Sequence, residues 1–222
     1  RNYPKKVFPL ELDYQMMRVR ARVITSQTMP AEIEQLRASL DTDNELMRTA
    51  YEYGLALALT RELAFDESRT LIRQLRDKHP LNIPLMIAEA ETYESAQQAD
   101  QAIELLEQAL DVNTYNYPLT VNLAKAFIAD RKPHAALDVL IPVSVERPND
   151  EYIWYLLAEA YGLASNVPGV HEARAEFFVL NGNFDQAIKQ LGYALPLVRH
   201  NFQRSAKIRQ RLQEIWQLKD GS

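Results

Sequence analysis

The chain has 222 residues, of which 47% are hydrophobic and 25% charged, and its formal net charge is −5. These values are typical of a globular chain, and the mild acidity gives no support for nucleic acid as a partner. The absence of cysteine excludes a disulfide framework, a thiolate metal site and a cysteine nucleophile. No apolar run reaches the ~18 residues that a transmembrane helix needs. Because the chain starts at Arg1 without a signal-like segment, we expect a fragment or a processed product.

Two helices are predicted before any internal repeat begins. Residues 10–25, LELDYQMMRVRARVIT, form an amphipathic helix rich in Met and Arg, and a second helix is predicted over about 30–40. Neither segment carries the marks of the repeats that follow. We therefore expect residues 1–42 to be connecting helices outside the repeat array.

A regular period then runs along the chain. Asn82, Asn116 and Asp150 recur at a spacing of 34 (116 − 82 and 150 − 116), and each can cap the first turn of a helix. Pro84 and Pro118 follow shortly after the first two caps, where a missing N–H costs little. The recurring small and aromatic positions are Ala90, Ala124 and Ala158, followed by Tyr93, Phe127 and Tyr161.

A unit of this length resembles the tetratricopeptide repeat (TPR), a helix–turn–helix that stacks on its neighbours. The second helices show the expected small residue and the Leu one helical turn later, in Ala102/Leu106 and Ala136/Leu140. Unrelated amphipathic helices would not keep caps, alanines and aromatics in one register. The resemblance implies an all-α TPR solenoid of about twelve helices, with about four repeats over 43–199.

An earlier, looser repeat is predicted from about Asp43. Gly54 stands where the small residue belongs, but two positions further from Ala90 than the repeat spacing requires, so the linker TRELAFDES is interpreted as two residues too long. Whether Pro142 kinks or ends its predicted helix stays open, since a proline ring clashes with the carbonyl one turn back.

The register breaks after residue 164. Val170 stands where a second helix should carry Ala, and Ala175 and Phe178 repeat the Ala158/Tyr161 pair at half the repeat spacing (175 − 158 = 17). This pattern predicts an extra helix near 165–180, with a tighter or redirected turn of the array at SNVPGV.

The last predicted helix, at about 201–219, has two interpretations. Its apolar and basic positions favour a terminal cap over residues 200–222, apolar inside and solvated outside. The alternative is a basic contact patch for acidic lipid or nucleic acid. The apolar face comprises Ile208, Leu212, Ile215 and Trp216, and the basic residues are Arg204, Lys207, Arg209 and Arg211.

No motif for catalysis is complete in this chain. The stretch HEARA at 171–175 has Ala175 where the zinc-protease motif HExxH needs its second His. No phosphate-binding Gly-rich loop and no Gly-x-Ser-x-Gly elbow occur. We therefore expect no catalytic residue, no metal ligand and no cofactor in this chain, with a hydrolase centred on His171 as a minor alternative.

TPR arrays bind peptides or folded proteins on the surface that their first helices line. Asn122 matches the asparagine that TPRs commonly use to hold a partner's backbone, whereas the basic residues of the chaperone-tail carboxylate clamp are missing. Tyr51, Tyr152 and Tyr155 beside mixed charges favour aromatic anchoring with a polar rim, the alternative being that these tyrosines pack between helices. The predicted partner-binding residues are Tyr51, Glu91, Asn122, Lys125, Tyr152, Tyr155 and Glu159.

The ends of the chain resemble a more particular family. LELDYQMMRVRARVI at 10–24 and HEARAEFFVLNGNFDQAIKQLGYAL at 171–195 are similar to the C-terminal part of the β-barrel assembly-enhancing protease family, periplasmic HExxH zinc enzymes with a TPR domain. The resemblance implies a non-catalytic, periplasmic domain that docks a protease and chaperone onto the β-barrel assembly machinery and its outer-membrane protein substrates. It also implies contact with its own zinc-bearing protease domain, which lies outside this chain. The alternative is a stand-alone TPR scaffold or co-chaperone.

Overall fold

The computed structural model describes the backbone of residues 9–221 and the side chains of residues 11–221, and this part of the chain is all-α. The described residues form twelve α-helices, which confirms the predicted fold class and helix number. The helices are α1 Pro9–Thr25, α2 Met29–Ser39, α3 Glu45–Arg61, α4 Phe65–Lys78, α5 Ile83–Ser95, α6 Ala99–Val112, α7 Tyr117–Ala129, α8 Pro133–Glu146, α9 Glu151–Leu163, α10 Val167–Leu180, α11 Phe184–Leu197 and α12 Phe202–Asp220.

The three predicted caps begin α5, α7 and α9. The side-chain oxygens of Asn82 and Asn116 each accept a hydrogen bond at 3.1 Å from the backbone N–H three residues later. Asp150 accepts from the N–H of Tyr152 at 3.1 Å. These bonds satisfy N–H groups that the first helical turn leaves without a partner, so the caps fix where each first helix starts.

Short turns of one recurring geometry follow the first helices. Each has three residues, and the middle residue adopts a positive φ; the next N–H then donates to the carbonyl five residues back, as in a Schellman motif. Four such residues recur at the repeat spacing, and a fifth follows after half that interval. They are Leu63, Gln97, Arg131 and Ser165, and then Gly182, with φ between 54° and 70°.

Turns of this type occur twice in succession around α10. The α9–α10 and α10–α11 turns both have the three-residue geometry, at Ser165 and Gly182. Four residues, 198–201, then separate α11 from α12, as in the turns before α5, α7 and α9. The turn geometry therefore agrees with the extra helix near 165–180. The predicted redirection of the array at this point stays a prediction.

The predicted alignment of the first repeat with the later repeats was wrong. The structure places Ala56, not Gly54, at the repeat spacing from Ala90, and α3 ends with the same turn as the later first helices. Ser68 takes the place of the small residue in the second helix, and its hydroxyl donates to the Ala56 carbonyl at 2.8 Å. No linker residue is added, because the extra length of α3 lies at its start, at Glu45.

The contacts divide the chain into two compact units, residues 1–113 and residues 114–222. In the first unit, α1 packs along α3 rather than forming a hairpin with α2, and Met16, Val19 and Val23 are buried there. A buried chain of hydroxyls joins α3, α4 and α5, since Thr60 lies 2.8 Å from the Ser68 hydroxyl and 2.9 Å from the Thr92 hydroxyl. Buried polar groups of this kind are stable only when they are paired, so the three helices are held in one arrangement.

In the second unit, α10 packs on both α9 and α11 more extensively than α7 packs on α8. Ala175, Ala187 and Ala194 are fully buried there, so the helices approach closely. The first helices α7 and α9 pack on each other, but α9 and α11 do not do so to the same extent. The α10 insertion thus separates two helices that would be neighbours in a regular array.

Two further sequence predictions are resolved in the second unit. Helix α8 continues through Pro142 to Glu146, so this proline does not end its helix. In α12, Ile208 and Ile215 are buried as predicted, but placing Trp216 on the inner face was wrong, because its side chain is 48% exposed. The Lys219 ammonium lies 5.3 Å from the Trp216 ring centroid, which lets a solvent-facing indole retain a favourable contact.

Candidate protein-binding surface on the first helices

Tyr53, Ile87, Val121 and Tyr155 occupy one position of the repeat, on the face where TPRs bind partners. In the first unit this face is covered by α1. Tyr53 is completely buried, and the Arg20 guanidinium of α1 donates to its hydroxyl at 3.1 Å. Burial raises the pKa of Tyr53, so the phenol stays neutral under Arg20.

The same arginine binds one of the predicted partner-binding residues. Arg20 forms an ion pair with Glu91 of α5, while Asp13 of α1 accepts from the Asn82 amide at 2.7 Å. Helix α1 therefore contacts both first helices of this unit, α3 and α5. Because Glu91 is already paired within the chain, the structure assigns it an internal contact.

Tyr51 is the second predicted residue in the first unit. It is partly buried and packs against the hydrophobic core that residues of α1 to α5 form. The structure thus places Tyr51 and Glu91 among the internal contacts of the first unit, and a role in partner binding stays a prediction for both.

In the second unit, the corresponding face carries two exposed tyrosines. Tyr152 and Tyr155 are 42% and 45% exposed, and their rings stack with centroids 6.0 Å apart at an interplanar angle of 9°. The Glu159 carboxylate, one turn further along α9, interacts with the Tyr155 hydroxyl and raises the pKa of that phenol. The stack is thus a flat apolar patch with one acidic edge.

Asn122 and Lys125 lie on the neighbouring first helix α7. The Lys125 ammonium donates to the Asn122 side-chain oxygen at 3.3 Å, and the Asn122 amide donates to the Pro118 carbonyl at 2.8 Å. Since α7 packs on α9, the structure brings five of the seven predicted residues onto one pair of helices. We refer to Asn122, Lys125, Tyr152, Tyr155 and Glu159 as the α7–α9 surface.

A cavity of about 240 Å³ adjoins the α7–α9 surface, and most of its lining residues were missed in the sequence. It lies among α9, α10 and α11. The only sequence feature that pointed to this cavity was the pair Phe177–Phe178, in the helix that breaks the repeat register. The cavity, which we name the α9–α11 pocket, is lined by Tyr155, Ala158, Glu159, Arg174, Phe177, Phe178 and Gln190.

Two alternatives from the sequence were a hydrolase centred on His171 and a basic contact patch on the last helix. The residues that suggested them have partners within the second unit. His171 Nδ1 lies 2.8 Å from the Gln190 side-chain oxygen, and its ring contacts Tyr193. In α12, Arg204 pairs with Glu172 at 2.7 Å and Arg211 binds both carboxylate oxygens of Glu176. These pairs hold α12 to α10 and favour the cap interpretation over a basic contact patch.

Residues 9–221 contain neither a candidate metal site nor a helix that could span a membrane. There, no three His, Cys, Asp or Glu side chains are grouped so that they could hold a metal ion. None of the twelve helices is both long and apolar enough to cross a bilayer.

A family model for the tetratricopeptide repeat matches residues 93–160. The beta-barrel assembly-enhancing protease of Escherichia coli (strain K12) is 29% identical over 177 residues, covering 80% of this chain and 36% of the relative. The protein of that name from Yersinia pestis is 29% identical over 171 residues, covering 77% and 35%. The chain therefore spans about a third of the length of these relatives.

Among solved structures, the chain is similar to MamA 41-end from Desulfovibrio magneticus RS-1. The identity is 14% and the TM-score 0.53, over 78% of this chain and 97% of that one. At this identity the likeness concerns the fold alone. Together with the family match, it confirms the predicted TPR-type array of helices.

Proposed function

We propose, from its TPR repeats and its similarity to the beta-barrel assembly-enhancing proteases, that this chain is a non-catalytic protein-binding module. It docks a periplasmic zinc metalloprotease and chaperone onto the outer-membrane β-barrel assembly machinery and its substrates. Zinc and the peptide-cleaving residues belong to a protease domain outside this chain. The names of the relatives and the TPR fold support this proposal.

The observation that carries the binding role is the contrast between the two units. The same repeat position holds Tyr53 in the first unit, buried under α1, and Tyr155 in the second unit, exposed beside Tyr152. Exposed aromatic side chains with a polar rim are typical of the residues that dominate protein–protein affinity. Partner binding is therefore expected at the α7–α9 surface.

A second candidate function is a stand-alone TPR scaffold or co-chaperone with no protease attached. It uses the same α7–α9 surface and differs only in what the chain is joined to. A coding sequence upstream of Arg1 that contains HExxH would support the protease assembly, and its absence from the gene would support the scaffold.

Photo-crosslinking in cells tests the docking proposal. A photoreactive amino acid at position 155 of the full-length protein should capture components of the β-barrel assembly machinery or its outer-membrane substrates. Position 141 is the matched control, because Ile141 is 42% exposed, as Tyr155 is 45% exposed, but lies on the second helix α8.

Capture at position 155 that exceeds capture at position 141 supports the proposal. Equal capture at both positions, or capture of neither the machinery nor its substrates, would contradict it. Because both side chains are exposed, neither replacement is expected to disturb the fold.

A further inference from the structure

The α10 insertion uncovers one of the repeat alanines. Ala56, Ala90 and Ala124 are at most 1% exposed, and their second helices carry the small residues Ser68, Ala102 and Ala136 at the matching repeat position, whereas Ala158 is only partly buried. The second helix beside Ala158 is α10, which carries Val170 in the place of that small residue.

The contact between α9 and α10 is also displaced along the helices. Val170 lies next to Gly162, one turn beyond Ala158, with its Cγ2 atom 3.9 Å from the position of a Cβ on that glycine. The Tyr161 ring in turn packs against Gly169 at the start of α10. The tight α9–α10 contact thus lies towards the end of α9, and a gap remains at Ala158.

This gap is the α9–α11 pocket. Its apolar walls are Tyr155 and Ala158 on one side and the Phe177 and Phe178 rings, with centroids 5.8 Å apart, on the other. An apolar cavity of about 150 Å³ is enough to hold a benzene molecule. The 240 Å³ of this pocket therefore admits one aromatic side chain from outside.

Two charged side chains lie at the rim of the pocket. Arg174 is exposed and has no hydrogen bond or ion pair with any described residue, while Glu159 interacts with the Tyr155 hydroxyl. Gln190, the remaining polar side chain, is held by His171. The pocket thus offers an apolar interior and one guanidinium that makes no hydrogen bond or ion pair with the described side chains.

We infer that the α9–α11 pocket receives an aromatic side chain of a protein partner, with an adjacent Asp or Glu side chain bound by Arg174. The inference rests on the proposed function, since it specifies which chemical feature of a partner the second unit recognises. The aromatic ring fills the space at Ala158, and the carboxylate pairs with the Arg174 guanidinium. Guanidinium–carboxylate geometry favours such a pair.

The probe for this inference is N-acetyl-Phe-Asp-amide, whose binding to the purified chain is followed by NMR titration. N-acetyl-Phe-Asn-amide should bind about 1.4- to fivefold more weakly, since exposed ion pairs contribute roughly 0.2–1 kcal/mol. Arg174→Gln should reduce the affinity for the Asp probe by the same factor and leave the affinity for the Asn probe unchanged. Arg209→Gln is the matched control, because Arg209 is also exposed on the second unit but lies on α12.

The apolar part is tested by Ala158→Leu, which fills the pocket and should abolish binding of both probes. Its thermal unfolding is compared with that of the parent chain, and Phe177→Ala provides a second variant if the first one misfolds. Equal affinity for the Asp and Asn probes, or unchanged binding to both pocket variants, would overturn the inference. Those results would leave crosslinking from position 155 unaffected, so failure here is distinguishable from failure of the docking proposal.

Discussion

Gly54 lies on α3 where this helix packs against α1. A Cβ atom at this position would stand 2.1 Å from Val19 Cγ1, and Val19 is buried and stiff because it is β-branched. We expect Gly54→Ala to lower the free energy of unfolding by about 1–3 kcal/mol, the usual cost of overpacking a core. Urea unfolding followed by circular dichroism measures this loss.

The matched control is Gly192→Ala in α11, since nothing lies within 4 Å of the added methyl group. There the substitution should raise the free energy of unfolding by about 0.5–1 kcal/mol, because alanine is the better helix former. A Gly54→Ala protein as stable as the Gly192→Ala protein would show that α1 can move away from α3 at little cost.

Tyr117 provides a pH-dependent contact in the second unit. Burial and the hydrogen bond that its hydroxyl donates to Asp150, at 2.6 Å, raise the pKa of this phenol from 10.0 to about 12. Between these values the unfolded chain releases the proton and the folded chain retains it, so stability falls as the pH rises through this range.

We expect Tyr117→Phe to remove this part of the alkaline loss, so that the urea midpoints of variant and parent converge between about pH 10 and pH 12. Tyr115→Phe is the control, because the Tyr115 side chain is 86% exposed. This substitution should leave the parent's pH profile unchanged. Midpoints that stay equally far apart over this range would show that folding does not raise the pKa of Tyr117.

At the scale of elements, the turn after α10 depends on a left-handed residue. Gly182 has a φ of +70°, and nothing lies within 4 Å of a Cβ built there. Gly182→Ala should therefore cost about 1 kcal/mol through backbone strain alone. Gly182→Asn should cost less, since asparagine tolerates this conformation. Chemical denaturation of the two variants measures the difference, and an equal loss in both would point to the side chain rather than the backbone.

The helices themselves could be predicted because their caps, small residues and aromatics recur at fixed spacing. The turns could not. Leu63, Gln97, Arg131 and Ser165 all adopt positive φ, yet none is a glycine, so only their regular spacing unites them. The sequence pattern also misplaced the first repeat by taking Gly54 as its small residue. This glycine is needed for the contact with α1, but in the sequence it resembles the small residue of a repeat.

One repeat position differs between the two units, because its tyrosine is buried at Tyr53 and exposed at Tyr155. Tyr53→Ala should lower the free energy of unfolding by about 3–5 kcal/mol, since the ring is fully buried beneath α1. Tyr155→Ala should change it little, because that side chain is 45% exposed. Thermal unfolding of both variants gives the comparison. A large loss of stability in Tyr155→Ala would show that this tyrosine is part of the core.

The repeat pattern was enough to place Asn122, Lys125, Tyr152, Tyr155 and Glu159 on one surface. It was not enough for Glu91, because its partner Arg20 lies far earlier in the chain, in a helix outside the repeat pattern. The α9–α11 pocket also depends on such packing, since a local pattern shows that α10 is irregular but not which alanine it leaves uncovered.

The turn arrangement around α10 determines on which side of the second unit its last helix, α12, ends. Tyr117 at the start of α7 touches the Asp150 cap of α9, and Lys219 near the end of α12 pairs with Asp185 at the start of α11. With six helices reversing direction in turn, entry and exit fall on one rim of that unit. Five helices would have placed the start of the first helix and the end of the last helix on opposite rims. A fluorophore attached at Asp220, at the end of α12, would accordingly lie on the rim where α7 starts.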